Sequence, residues 1–151
     1  LWSRGLGDVY KRQFLGALNY HLPSDVAVKN VRLVECDFDP RRMAKSRTYR
    51  FTIDNGLVRS PLTRRTSFHI SVPLDVESMN NAAKHFIGIH DFYRFAGPLE
   101  NPSASTVREV KHSSVKRNGH VLTYDVTAGS FLPHQVRRMA GTLVDIGLGK
   151  F

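Results

Sequence analysis

Two adjacent arginines, Arg137 and Arg138, interrupt the otherwise apolar stretch "SFLPHQVRRMAG" at residues 130–141. A guanidinium is always charged, and its planar fork grips a carboxylate or a phosphate at two points. On a helical wheel of about 100° per residue, Val136, Met139, Ala140, Leu143, Val144 and Ile146 share one broad arc that should face a core. Arg138 falls on the far side, near His134 and Asp145, where it would meet solvent or phosphate. Arg137 falls at the edge of the arc, with Gly141 one turn on leaving room for an approaching group. A desolvated guanidinium there needs an acidic partner. The alternative is a boundary arginine that snorkels to water.

A second set of residues precedes and occupies "SRTYRFTIDNG". Arg41, Arg42, Lys45 and Arg47 form a basic run just ahead of Tyr49. Interleaved basic and aromatic residues suit a nucleic-acid surface, where cations hold phosphates and rings stack on bases. Taken singly, each of these cations is more often a solvated surface charge; together they make an electrostatic track. "GIHDFYRF" offers a similar mixture: His90 and Asp91 open what reads as a loop, and the aromatics Phe92, Tyr93 and Phe95 with Arg94 could stack on RNA or equally close the core over the preceding helix, the core being the better place for Phe92. The seven histidines form no H-E-x-x-H pattern and no pairing with cysteine, so no metal centre is expected. A glycine-rich phosphate loop is also missing.

Composition points the same way. With 22 Lys+Arg against 13 Asp+Glu, the formal charge is +9, which attracts polyanions, nucleic acid above all. The apolar runs are too short to span a bilayer, and no signal peptide is visible. The single cysteine, Cys36, cannot close an internal disulfide and fits a reducing cytoplasm.

These side chains must be carried by regular elements. Residues 1–13 show no period and are set aside as a foreign or non-family segment, leaving one domain over 14–151. "FLGALNYHLP" reads as the tail of a helix stopped by Pro23, and "VAVKNVRLVE" as a strand. In "SRTYRFTIDNG" the alternation puts Tyr49, Phe51 and Ile53 on one strand face, with Asp54-Asn55-Gly56 as a turn. "LDVESMNNAAKHFIG" predicts an amphipathic helix with Asp75 as N-cap and Gly88 as its stop. "VREVKHSSVKRNGHVLTYDVTAG" predicts a hairpin turning at Asn118-Gly119, and the last helix follows Pro133 to about Gly147. The order implies an α+β fold: a mixed, largely antiparallel sheet flanked by helices.

Five segments together resemble the tRNA pseudouridine synthase A family. They are "ALNYHLPSDVAV", "FDPRRMAKSRTYRFTI", "MNNAAKHFIGIHDFYRF", "STVREV" and "SFLPHQVRRMAGTLVDIGLGKF", in the family's order and spacing. The resemblance implies an enzyme that converts uridine to pseudouridine in the anticodon stem-loop of tRNA. It implies a cytoplasmic homodimer with a basic cleft and no metal or cofactor. Tyr49 matches the family's tyrosine, which stacks on the target base and is a candidate general base. Arg137 matches the arginine that pairs with the catalytic aspartate. Arg41, Arg42, Lys45 and Arg47, with His134 and Arg138, would then flank one RNA cleft.

The family's aspartate lies in a G-R-T-D-A-G-V-H loop, and none of this chain's nine aspartates has that context. The family's final helix and strand have no counterpart here either. The expectation is an incomplete pseudouridine synthase fold, inactive by itself for want of its nucleophile. Two rivals remain: a non-catalytic RNA-binding module sharing the fold, and a basic scaffold protein.

Overall fold

A computed structural model describes residues 2–99, 101 and 103–151. The chain divides into two compact units, Leu1–Met43 and Ala44–Phe151.

The first unit is built on helix α1, Trp2–His21. The helix covers most of the segment set aside for want of a period. Isolated glycines weaken a helix but do not forbid one. It ends before Pro23, as that proline requires, with the Leu22 N–H still donating to the Leu18 carbonyl. Residues 26–35 are not a strand. Val28 is held instead by the Asn19 side chain, which accepts its N–H at 2.7 Å and donates to its carbonyl at 2.9 Å. Valine-rich sequence favours a strand only where a neighbouring backbone can pair with it. Here an amide side chain takes that place.

The second unit is a five-stranded sheet in the order β2-β1-β5-β4-β3. Its strands are β1 Arg47–Asp54, β2 Phe68–His69, β3 Gly88–Asp91, β4 Val107–Asn118 and β5 Val121–Ala128. All pairings are antiparallel except β1 with β2. The α+β expectation therefore holds.

The period-2 reading of β1 is borne out, and burial deepens along it: Tyr49 is 49 % exposed, Phe51 half-buried and Ile53 1 % exposed. The hairpin β4–β5 is also present, but Asn118 pairs with Val121, so Gly119 and His120 form the turn. Gly119 adopts φ +61°, a region that favours glycine. A register shift between Val110 and His112 leaves Lys111 as the extra residue of a bulge.

Asp54-Asn55-Gly56 does not fold back as a turn. The chain continues to β2, which lies parallel to β1, and Asn55 acts as a joint. Its Nδ2 donates to Ile70 and Val72 carbonyls at 2.8 and 2.7 Å, and its Oδ1 accepts from Arg117 Nη2 at 2.9 Å.

Helix α2, Val76–Lys84, has the expected cap: Asp75 Oδ1 accepts the Glu77 and Ser78 N–H groups at 3.0 and 3.1 Å. It stops at His85, ahead of Gly88. Gly88, at φ +111°, instead opens β3 at the sheet edge. His90 and Asp91 thus lie on a strand, where backbone pairing with Arg108 and Val107 overrides the loop-like polarity. Helix α3 spans Gln135–Gly147.

Helices α2 and α3 pack on one face of the sheet. Met79 and Ala83 from α2 and Met139, Ala140 and Leu143 from α3 meet Ile53, Val115, Leu122, Tyr124 and Val126. Each of the Met, Leu, Ile and Val side chains among them contributes roughly 1.5–3 kcal/mol on burial. The other face is polar, with Arg50 opposite Asp125 in register and a two-point ion pair between them at 2.7 and 2.8 Å. Hydrogen bonding to Arg50 holds the Asp125 carboxyl below the usual carboxylate range.

Candidate active site

The chain between β5 and α3, residues 129–134, links most of the expected site residues. At its start the Gly129 carbonyl accepts from Arg47 Nη1 at 2.8 Å. Phe131 then meets Tyr49 edge to face, with ring centroids 5.4 Å apart at 79°. Phe131 itself packs against the core. Tyr49 is therefore a half-exposed aromatic braced from one side, which suits stacking on a planar ligand. Leu132 is buried, and its N–H donates to Gln135 Oε1 at 2.8 Å. This bond fixes where the loop becomes helix.

His134 follows as the N-cap of α3 in a left-handed conformation, φ 59°, without a side-chain capping bond. Its ring lies over Gly97, and the Gly97 N–H donates to the Pro133 carbonyl at 2.7 Å. The loop thereby touches the Tyr49 strand at one end and the segment after β3 at the other.

Both arginines of α3 face water. Arg137 is exposed, not tucked at the edge of the packed surface, and it makes no hydrogen bond or ion pair among the described residues. The cause is elementary: without an acidic partner a guanidinium remains in water. Arg138 is also exposed, yet its Nη1 donates to the Ala96 carbonyl. Arg138, expected to meet solvent or phosphate, is thus tethered, and of the two readings left open for Arg137 its exposure fits the one that snorkels to water. Gly141 faces open space, as the wheel implies.

The basic run divides between the units. Arg41 and Arg42 belong to the first unit, in a turn whose backbone N–H groups donate to Asp39 Oδ1 at 2.8 and 3.1 Å. Arg42 also pairs with Asp39 at 3.5 Å, which offsets part of its charge. Lys45 is exposed at the start of the second unit, and Arg47 is half-buried on β1.

In "GIHDFYRF", Phe92 is buried, as expected, and Phe95 packs on Phe86. Tyr93 and Arg94 are exposed on the short 3-10 turn Tyr93–Phe95. Sequence reasoning misses Phe131 as the brace of Tyr49, although it opens the same motif as Arg137. It also misses Gly97, whose only signal is the Gly-Pro step that follows the aromatic run.

Comparison with known proteins decides what this arrangement belongs to. A family model described as tRNA pseudouridine synthase matches residues 82–151. The tRNA pseudouridine synthase A of Geotalea uraniireducens is 43 % identical over 140 residues, covering 92 % of this chain and 57 % of that protein. Those of Pelobacter propionicus and Myxococcus xanthus are 42 % and 40 % identical, over 91 % and 92 % of this chain and 56 % and 52 % of theirs.

The chain belongs to the tRNA pseudouridine synthase family. It spans about half the length of the curated relatives it matches. Within the synthase family match fall β3, the hairpin β4–β5, the loop carrying Phe131, and α3 with Arg137. Tyr49 lies outside that match, in the part covered by the whole-chain similarity to the relatives. No helix among the described residues is long and apolar enough to cross a membrane.

Proposed function

We propose that this chain is the Tyr49- and Arg137-bearing part of an enzyme that isomerises uridine to pseudouridine in the anticodon stem-loop of tRNA. The N1–C1′ glycosidic bond breaks, the base turns, and C1′ rejoins at C5, whose proton leaves as the product forms. The observation that carries the reading is the half-exposed Tyr49 ring braced by Phe131, on a chain 43 % identical to a tRNA pseudouridine synthase A.

In this reading the target nucleotide flips out of its stack. Tyr49 stacks on it and takes the C5 proton as general base. Arg137, unpaired among the described residues, is available to a carboxylate supplied from outside this sequence. A guanidinium grips that carboxylate at two points and keeps it ionised. Arg41, Arg42, Lys45, Arg47, His134 and Arg138 supply phosphate contacts that set the register without reading sequence. The working enzyme is a cytoplasmic homodimer and needs no metal or cofactor. By itself the 151-residue chain lacks the family's G-R-T-D-A-G-V-H aspartate and is inactive.

The test is tritium release from tRNA labelled at uridine C5. The enzyme is this chain joined in frame to the aspartate-bearing segment and C-terminal elements of a relative. Release should collapse in Arg137→Ala and Tyr49→Phe, while both variants still bind tRNA. A folded chimera that binds tRNA without releasing tritium would refute catalysis and leave the binding-module reading in its place.

A further inference from the structure

We propose that the concavity between the 3-10 turn and the start of α3 holds a second nucleotide of the RNA strand, next to the one engaged by Tyr49. The inference rests on the RNA reading above and adds a subsite to it. The concavity has a volume of about 760 Å³ and is lined by Tyr93, Arg94, Ala96, Gly97, Pro98, Leu99 and Arg138. Two guanidinium groups and an exposed phenol ring face it, and no acidic residue among the described ones lines it. A ligand with a flat aromatic part and a phosphate matches that set: the ring offers stacking and the arginines offer charge-assisted hydrogen bonds.

The walls are preorganised. Asp91 Oδ1 accepts the Tyr93 N–H at 3.0 Å and the Thr106 hydroxyl at 2.5 Å, which fixes the start of the 3-10 turn. Phe95 closes its other end against Phe86 and Phe92. Arg138 is tethered by its Nη1 to the Ala96 carbonyl. Arg94 makes no hydrogen bond or ion pair among the described residues, so its charge is unspent. Arg138, held at one side, is preorganised and loses little entropy on binding, whereas the free Arg94 is ordered only as it takes up a phosphate.

The position favours RNA over a free nucleotide. Phe131, which braces Tyr49, and Pro133, which bonds Gly97, are two residues apart on one loop. Two residues span at most about 7 Å of backbone. The brace of Tyr49 and the border of the concavity are thus neighbours on one short loop, which puts the concavity within reach of a strand whose target base stacks on Tyr49.

The experiment measures binding of fluorescently labelled, unmodified tRNA transcript to this full chain by anisotropy across a salt series. Tyr93→Ala should weaken binding about tenfold with the salt slope unchanged, because base stacking is lost and no charge is removed. Tyr93→Phe should restore it. Arg94→Ala should weaken binding and lower the salt slope by about one, the signature of a lost phosphate contact. Lys116→Ala, on the polar face of the sheet away from α2 and α3, serves as the control for general charge. Both lining residues are exposed, so circular dichroism should show an intact fold. Unchanged affinity and slope in both variants, with the parent chain binding tRNA, would overturn the subsite and leave the RNA reading standing. A parent chain that does not bind tRNA would overturn the RNA reading and the subsite with it.

Discussion

Replacing Gly97 by alanine tests how tightly the loop before α3 is latched to the segment after β3. A Cβ there would lie 2.3 Å from Cδ2 of His134, 3.1 Å from its Cγ and 3.2 Å from the Pro133 carbonyl oxygen. Carbon atoms in ordinary contact stand about 3.5–4.0 Å apart, so the ring must withdraw by about 1.2 Å or more. The Pro133 carbonyl has less freedom, since it accepts the Gly97 N–H at 2.7 Å. Overpacking of this kind costs about 1–3 kcal/mol, and stretching the hydrogen bond accounts for up to about 1 kcal/mol of that. We expect a loss near 2 kcal/mol, which at an m-value of about 2 kcal/mol per molar lowers the urea midpoint by about 1 M.

The second arm of the cycle is His134→Gly. It removes the ring, and a glycine relieves the roughly 1 kcal/mol that an L-residue spends in the left-handed region at φ 59°. In that background Gly97→Ala should cost less than about 1 kcal/mol, giving a coupling of at least about 1 kcal/mol. Urea unfolding of the four proteins, followed by far-ultraviolet circular dichroism, supplies all the numbers. An equal cost in both backgrounds would refute the reasoning, because the His134 ring would not be the obstacle.

Other outcomes follow from the buried and paired polar groups. Burial pushes the Tyr124 phenol up to about 12, so its absorbance should titrate late and disappear in Tyr124→Phe. The unfolded chain ionises this group first, near its ordinary value of 10.0, so stability should fall as pH rises above that value. Tyr124→Phe also leaves the buried Ser113 hydroxyl without its 3.3 Å partner, at a cost of about 1–3 kcal/mol read from the urea midpoint. At the acid end, Asp75, Asp91 and Asp125 are held below their ordinary value of 3.8 by hydrogen bonds from Ser78, Thr106 and Arg50. Their folded values are depressed, so their contribution is complete above 3.8 and drains away as pH falls through those lowered values. Asp125→Asn should make that acid loss shallower; an unchanged profile would show that the pair with Arg50 contributes nothing.

The elements with an unbroken period are legible in the order of residues alone. Tyr49, Phe51 and Ile53 alternate, the second arm of the hairpin alternates along its length, and Asp75 announces its helix by its side chain. Residues 26–35 mislead because strand propensity carries no information about whether a partner strand exists. Gly88 misleads because a glycine with positive φ serves as well to open a strand as to close a helix. At the site, Tyr49 and the α3 arginines are identifiable by type, but their surroundings are not. The wheel gives angles around one axis and knows nothing of the Ala96 carbonyl that captures Arg138. It is equally silent about a carboxylate partner for Arg137. Phe131 and the concavity beside Gly97 depend on loops crossing in space, and no local pattern encodes that.

The strand order has a consequence for the birth of the protein. The central strand β5 pairs with β4 through a two-residue turn, but its other neighbour, β1, lies far back in the chain: Arg50 and its partner Asp125 are 75 residues apart. At roughly 5–20 residues per second, a ribosome makes β1 about 4–15 s before the strand that will cover it. Through that interval the row of Tyr49, Phe51 and Ile53 has no neighbour on the β5 side and waits as an open template. Slow codons between β2 and β4 would lengthen the exposure, and a chaperone that shields this one row would shorten it. The order and timing of synthesis therefore bear on how readily this sheet assembles, beside the depth of its core.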